Sequence, residues 1–540
     1  MSRVRVQVAG MTCGDCEAHV ARALARVGAT EVQVDRVRGE ATCELGSASV
    51  AAVFDSIRGA GYQPTKVAPL DASRHGDHYD LLIIGSGGAA FAAAIEGTRH
   101  GARIALVERG DVGGTCVNVG CVPSKMMLAA AREFHHARHP AFAGIGALAG
   151  GLDLPALMAQ KQHLVTDMRQ RKYEDLVAAY GFDLIHGEAR FCDERTVQVG
   201  DRIITADRYL IATGASPALP AIPGLADAGY LTSTDALALT SLPTRLAVIG
   251  SGYVALELGQ LFARLGAHVT LMQRGPRVLP EQEPEVSRAI EAALAAEGIT
   301  LLHNVRYDRV SRSGDKRIVH GQVGDAALAV EADALLVAVG RTPNTAPLSL
   351  ERAGVAVGAR QEVLVSDSMR TSNPRIYAAG DVVLGPQFVY VAAYSGALAA
   401  RNALTDVEQA ADLRALPTVT FTDPAVASVG LTQAQAQRQG IATIASTIGL
   451  DAVPRAIVEG ATGGLIKLVA KADTRVIIGA HIVAPGAGDV IYAATLAVRF
   501  GLTIEQLRET FVPYLTMAEG LRLAALTFDQ DVSRLSCCAG

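Results

Sequence analysis

The sequence predicts an α/β fold organised around several cores, and three observations carry that expectation. At 540 residues the chain exceeds what one hydrophobic core organises. A buried strand, a glycine turn and a helix follow one another twice, in "YDLLIIGSGGAAFAAAIEG" and in "RLAVIGSGYVALELGQLFARLGAHVTLMQRG". Ahead of both, a shorter stretch runs through β-α-β-β-α-β patterns.

Composition narrows the function classes. Apolar residues make up 50% and charged residues 19%, with 54 glycines and no tryptophan, the makeup of a folded, glycine-rich α/β protein. A formal charge of −5 without a block of like charges gives no electrostatic footprint for nucleic acid or an anionic membrane. The N-terminal "MSRVRVQVAG" lacks an apolar signal region, so a cytoplasmic location is expected. The uncharged run from Val382 to Ala400 is interrupted by Gly385, Pro386, Gln387 and Gly396, which argues against membrane insertion. Of the eight cysteines, six fall into three close pairs, and in a reducing compartment such pairs point to metal binding or redox work. Cys43 and Cys192 stand alone and read as small core residues.

The first unit spans residues 1–68. "RVRVQVA" alternates as a strand, "CEAHVARALARVG" has a helical apolar face, "TEVQVDRVRGEATCEL" reads as two strands around a turn, and "SVAAVFDSIRGAGY" as a second helix. Together they predict a ferredoxin-like domain. Cys13 and Cys16, in "GMTCGDC", are placed on the loop between the first strand and first helix, near the helix's positive end, which favours a metal-binding thiolate. This arrangement resembles the heavy-metal-associated domains of copper chaperones and metal-transporting ATPases; a thioredoxin-like C-x-x-C is the competing reading. Residues 69–78 are polar, contain Gly76, and read as a linker.

The first nucleotide-binding unit opens at Tyr79 and covers residues 79–240, with a second part over 340–410. Gly85 and Gly87 let the backbone approach a pyrophosphate at the following helix's N-terminus. Glu108 closes the next strand, where a carboxylate accepts from a ribose 2′-OH. The second unit, residues 241–339, repeats the turn with Gly250 and Gly252. Aligning "ARIALVE" with "AHVTLMQ" puts Gln273 where Glu108 stands, followed by Arg274. An acid there would repel a 2′-phosphate, whereas a neutral residue beside arginine accepts it, so this site is expected to take NADPH. Residues 411–540 mix strands and helices without a glycine fingerprint and form the candidate dimerisation domain, with a Cys537-Cys538 tail.

Between the two fingerprints lies "GGTCVNVGCVPSK". Five residues of regular helix rise about 7.5 Å, slightly beyond the roughly 7 Å limit on Cα separation for a disulfide. Cys116 and Cys121 can therefore pair only if the turn is distorted, and Gly114 and Gly120 supply that freedom. Lys125, one turn on, offers a positive charge to a thiolate or a reduced flavin.

This motif, the paired fingerprints, "LIATGA" with Thr213 and Gly214, "VGRTPNT" and "IYAAGDV" resemble the flavoprotein disulfide reductases from about Tyr79 to Phe528. The resemblance implies two Rossmann-like domains, FAD in the first and NADPH in the second, and a homodimer whose active sites are shared between subunits. It implies that Cys121 faces the flavin and Cys116 exchanges with substrate. Asp381 would hold the ribityl chain, with Ala90, Gly110, Thr115, Lys125, Ala189 and Val389 as further contacts, and Glu257 would lie near the nicotinamide.

One departure bears on substrate. Disulfide reductases carry H-P-T-x-x-E near the C-terminus, whereas this chain has "YLTMAE", with Tyr514 in place of the histidine and Glu519 retained. A phenol with a pKa near 10 is a poor proton shuttle at neutral pH. The tyrosine, the "RLSCCAG" terminus and Tyr173 in "RQRKYEDL" resemble the branch of the family whose substrate is Hg(II), taken as thiol adducts and released as Hg(0). In that reading Cys537 and Cys538 of one subunit collect the soft ion and pass it to Cys116 and Cys121 of the other by ligand exchange. A dihydrolipoamide dehydrogenase-like disulfide reductase, or a non-catalytic metal-binding or redox-sensing flavoprotein, are the alternatives.

Overall fold

The computed structural model of the chain describes residues 3–12, 14–46, 48–70, 76–147 and 150–531. Cys13, Cys537 and Cys538 lie outside the described residues. The N-terminal unit is a four-stranded antiparallel sheet in the order Thr30–Asp35, Glu40–Glu44, Arg3–Ala9, Gln63–Leu70, with helices Gly14–Arg26 and Val50–Gly59. Strand periodicity sends Val4 and Val6 inward, where they meet Val20, Leu24, Val53 and Ile57 of the two helices. Two details differ from expectation. The last strand keeps pairing as far as Leu70 opposite Arg3, beyond the boundary at 68. The first helix starts at Gly14, so Cys16 sits buried in its first turn rather than on the loop.

The first nucleotide-binding unit is a mostly parallel sheet centred on His78–Ile84, flanked by Ile104–Glu108 and Arg202–Ile211. Strand Ile376–Ala378, which follows the second nucleotide-binding unit in sequence, pairs in parallel with Arg202–Ile211, so the two segments of this unit share one sheet. Leu81, Leu82, Ile83 and Leu106 are fully buried, and as continuous apolar runs they suit parallel strands covered on both faces. The uncharged stretch near 390 forms helix Val389–Leu404, which packs on helix Gly88–Arg99. At their crossing a Cβ on Gly396 would collide with the Ala89 backbone, so only glycine permits the approach. Among the described residues no helix is long and apolar enough to cross a membrane.

The second unit repeats the plan with a parallel sheet in the order Thr300–Leu302, His268–Met272, Arg245–Ile249, Ala334–Val337, and adds an antiparallel meander over Val305–Ser313, Lys316–Val323 and Ala326–Ala332. Its core begins ahead of residue 241. Leu225 and Ala228 pack with Ile249 and Leu335, and Leu231 bridges in parallel to Leu336. That pairing spans about a hundred residues of sequence, and no local pattern announces it.

The third unit is a five-stranded antiparallel sheet, ordered Pro417–Thr420, Ala425–Gly430, Ile477–Ala484, Leu465–Lys471, Thr443–Gly449. Helices Ala487–Phe500 and Glu519–Leu526 bury Ile491, Ala494, Leu521 and Ala525 against it. The same unit leaves Tyr492, Phe500 and Phe511 largely exposed. Cys43 is fully buried as expected, whereas Cys192 is only half-buried, at a turn beside Gln198.

Candidate active site

Strand Ile104–Glu108 delivers the chain into a turn at Gly113 and Gly114, both at positive φ. A Cβ on Gly114 would lie 2.7 Å from the Gly87 Cα, so the cysteine motif and the first fingerprint touch backbone to backbone. Helix Gly114–Asn118 then stops, and a second helix, Cys121–Arg138, begins at the second cysteine. The interruption brings the cysteines within hydrogen-bond contact as a reduced thiol pair. Gly120 serves here through close approach rather than unusual φ, since a Cβ would sit 2.9 Å from the Thr115 carbonyl oxygen.

The pair is electrically asymmetric. Cys121 is brought down to about 7, chiefly by the hydrogen bond from the Cys116 thiol, against burial and with help from Lys125. It also occupies the first position of an 18-residue helix, where the free N–H groups and the helix dipole favour a thiolate. Cys116 is pushed well above its ordinary value by that same hydrogen bond and by burial, and holds the proton.

Lys125 is held in place from another domain. Its Nζ lies 2.5 Å from Glu257 Oε2, and Glu257, almost fully buried on helix Tyr253–Leu265, accepts from the Phe421 backbone N–H at 2.9 Å through Oε1. The ammonium also sits 4.6 Å from the centre of the Phe421 ring. One carboxylate thus joins the dithiol helix, the second nucleotide unit and the third unit.

Tyr173 lies within electrostatic reach of the thiols. It sits on a π-turn over Gln170–Glu174 that widens the helical register. Its ring packs edge-on against Phe91 at 4.9 Å and against Gly113. Burial, and then the charges of Cys116 and Cys121, raise its phenol above the ordinary value, so it remains a protonated O–H within electrostatic reach of the sulfurs. Tyr514 and Glu519 are elsewhere. Tyr514 is half-exposed on the third unit and does not line the dithiol cavity, while Glu519 opens helix Glu519–Leu526 with a buried Oε2 that has no partner among the described residues.

Two cavities flank the first fingerprint. One runs past Gly87, Thr115, both cysteines, Lys125, Gly214, Asp381 and Val389; the other holds Gly85, Glu108, Ala189 and Thr213. Glu108 accepts from the Ser86 hydroxyl and the Gly110 N–H, at 2.5 and 2.7 Å, which fixes the carboxylate at the cavity wall. Gly110 therefore acts by positioning Glu108. Ala90 lines neither cavity and is packed wholly in the core, because its helix turns that face toward the sheet. Thr213 donates to the Asn344 carbonyl at 2.8 Å, stitching the strand end to the "VGRTPNT" turn.

These cavities fit a flavin nucleotide. Asp381 is shifted upward by burial, against the nearby Arg341 charge, and presents an acceptor for a polyol. The buried Nε of Arg341 has no hydrogen-bond partner among the described residues. Arg341 also donates to the Ala215 carbonyl and lies 3.6 Å from Asp381. A third cavity, lined by Gly250, Gly252, Gln273 and Arg274, meets the dithiol cavity at Tyr253 and Arg341. Sequence reasoning missed Tyr253, Arg341 and Phe421. Tyr253 directly follows the second fingerprint and was legible there; Phe421 reaches the site only through tertiary folding.

The family model described as pyridine nucleotide-disulphide oxidoreductase matches residues 79–396, and that of the family's dimerisation domain matches residues 416–525. The chain belongs to the pyridine nucleotide-disulphide oxidoreductases, FAD-dependent enzymes that use NADPH. Within that class it is 54% identical to mercuric reductase of Staphylococcus aureus over 99% of both chains, and 51% identical to mercuric reductase of Lysinibacillus sphaericus over the whole of both. Among solved structures, the HOCl-induced flavoprotein disulfide reductase RclA of Escherichia coli covers 83% of this chain and 99% of its own, at 29% identity and a TM-score of 0.74.

Proposed function

We propose that this enzyme reduces Hg(II) to Hg(0) at the expense of NADPH, through FAD and the Cys116–Cys121 pair. The observation that carries the reading is the company the thiols keep. Their cavity is lined by no histidine among the described residues, Tyr514 stands where the disulfide reductases carry theirs, and the Tyr173 phenol lies within electrostatic reach of both sulfurs. Turnover of an organic disulfide needs a group that returns a proton to the leaving thiolate, and a phenol held above its ordinary pKa does that poorly. A soft metal ion needs no such proton. It needs two sulfur ligands and a donor to steady them.

Gly85, Gly87, Glu108, Ala189, Thr213, Gly214, Asp381 and Val389 would hold FAD, and Gly250, Gly252, Gln273 and Arg274 would hold NADPH. When bound, the two cofactors supply the electron pair that converts Hg(II) to the neutral atom. The protein does the rest. Cys116, the exchanging thiol, gives up its proton as it takes the incoming ion, and Cys121, the thiolate of the pair, supplies the second sulfur ligand. The Lys125 charge stabilises the Cys121 thiolate, and Glu257 keeps that ammonium in register. Tyr173 donates its O–H toward sulfur, and as each thiolate loses the metal the phenol and Lys125 stabilise the freed charge.

The enzyme works as a homodimer in this reading, its third unit pairing through the face that carries Tyr492, Phe500 and Phe511. Tyr514 of the partner subunit and Glu519 of the partner subunit then complete the site. Cys537 and Cys538 take mercury from small-molecule thiols and hand it to the dithiol by associative exchange, and Cys13 and Cys16 form an N-terminal collecting site. Anaerobic NADPH oxidation with Hg(II) in excess thiol, beside parallel assays with lipoamide and glutathione disulfide, tests the proposal. Mercury-dependent oxidation with release of volatile metal supports it; ready turnover of the disulfides without volatile metal overturns it.

A further inference from the structure

We propose that the hydroxyl of Tyr307, together with the guanidinium of Arg277, completes a recognition site for the 2′-phosphate of NADPH at the end of the second nucleotide cavity. The inference rests on the assignment of that cavity to NADPH through Gln273 and Arg274. Gln273 removes the negative charge that would repel a phosphate, but it supplies no donor. Its Nε2 donates to His303 Nδ1 at 2.6 Å, and the side chain is buried in the wall. Arg274 is exposed. Recognition of a dianion in a cavity calls for further donors that are already oriented.

Two are present. Tyr307 and Arg277 line this cavity with Arg274, and the Tyr307 hydroxyl and Arg277 Nε are buried atoms without a hydrogen-bond partner among the described residues. Arg277 is oriented by its Nη2, which donates to the Pro280 carbonyl at 2.8 Å. Tyr307 is oriented by the backbone. Asn304 and Val305 donate to the carbonyls of Gly275 and Gln273 at 3.0 and 2.8 Å, laying strand Val305–Ser313 along the turn that carries Arg274. The Tyr307 ring packs on the core of this unit, so only its hydroxyl lacks a partner. Burial raises that phenol well above its ordinary value, against the charge of Arg274, so it stays a donor at every working pH. Buried unpaired donors are costly, and two on one cavity wall are accounted for by one acceptor-rich group.

The test is calorimetric titration of the FAD-loaded enzyme with 2′,5′-ADP and with ADP. Wild type should prefer 2′,5′-ADP, and Arg274→Ala should erode that preference. Tyr307→Phe should weaken 2′,5′-ADP about tenfold, the factor of one hydrogen bond to a charged group, and leave ADP unchanged. Arg277→Gln should act in the same direction. If wild type does not discriminate, the NADPH reading of the cavity falls and this inference with it. If wild type discriminates and Tyr307→Phe keeps the preference, or weakens both ligands equally, the role given to Tyr307 is wrong while the cavity reading stands.

Discussion

Lys125 Nζ and Glu257 Oε2 stand 2.5 Å apart across the junction of the two nucleotide-binding units. The pair sets the charge that Cys121 feels, because the ammonium lowers the thiol and the carboxylate raises it. Lys125→Met should therefore move the Cys121 titration upward from about 7, and Glu257→Gln should move it downward. Alkylation rate of the reduced enzyme against pH reads the midpoint. Movement of both variants in the same direction would contradict this electrostatic account.

Tyr173→Phe keeps the edge-on contact with Phe91 and removes only the phenol oxygen. Reduction of the enzyme by NADPH should be unaffected, while mercury-dependent turnover should fall about tenfold or more, as for loss of one oriented donor at a developing charge. Stopped-flow spectroscopy separates the two steps. An equal fall in both would assign Tyr173 to the scaffold.

Lys467 is almost completely buried, with Nζ 3.0 Å from Glu283 and 3.3 Å from Glu285, and it joins the third unit's sheet to the second unit. Lys467→Met leaves Glu283 buried without its cation and should cost about 3–5 kcal/mol. The expected signature is a lowered thermal unfolding temperature with little change in bound flavin.

Glu96 joins the two helices that close the flavin unit, accepting from Arg401 Nε at 2.9 Å and Arg99 Nη1 at 3.0 Å. Burial pushes its carboxyl up, and the two arginines outweigh that and hold it below the usual value of 4.5. A depressed folded-state pKa contributes stability that is present above 4.5 and lost as pH falls through the folded value. Glu96→Gln should therefore melt earlier than wild type at neutral pH, and the two curves should converge as pH falls below 4.5 and through the depressed folded-state value. A gap that stays constant all the way into the acid range would show that the carboxylate's charge is not what stabilises the helix pair.

Two kinds of information divide the molecule. Local pattern was enough for the fingerprints, because Gly85 and Gly250 each stand where a Cβ would strike the neighbouring strand's backbone, at Ala212 and Ala338. It was enough for the dithiol as well, since the spacing of Cys116 and Cys121 is intelligible only if the helix breaks between them, as it does. The alternation Val4, Val6, Val8 likewise reports the first sheet directly.

What the chain's order could not disclose is which distant groups share one space. Phe421 reaches Glu257 from 164 positions away, Leu231 pairs with Leu336, and the Tyr307 hydroxyl ends beside the turn that carries Arg274. Periodicity specifies which face of a strand or helix is buried. It says nothing of which other face covers it. That choice is made when several cores pack at once, and the charge at Cys121, the setting of Tyr173 and the donors on the nucleotide wall all follow from it.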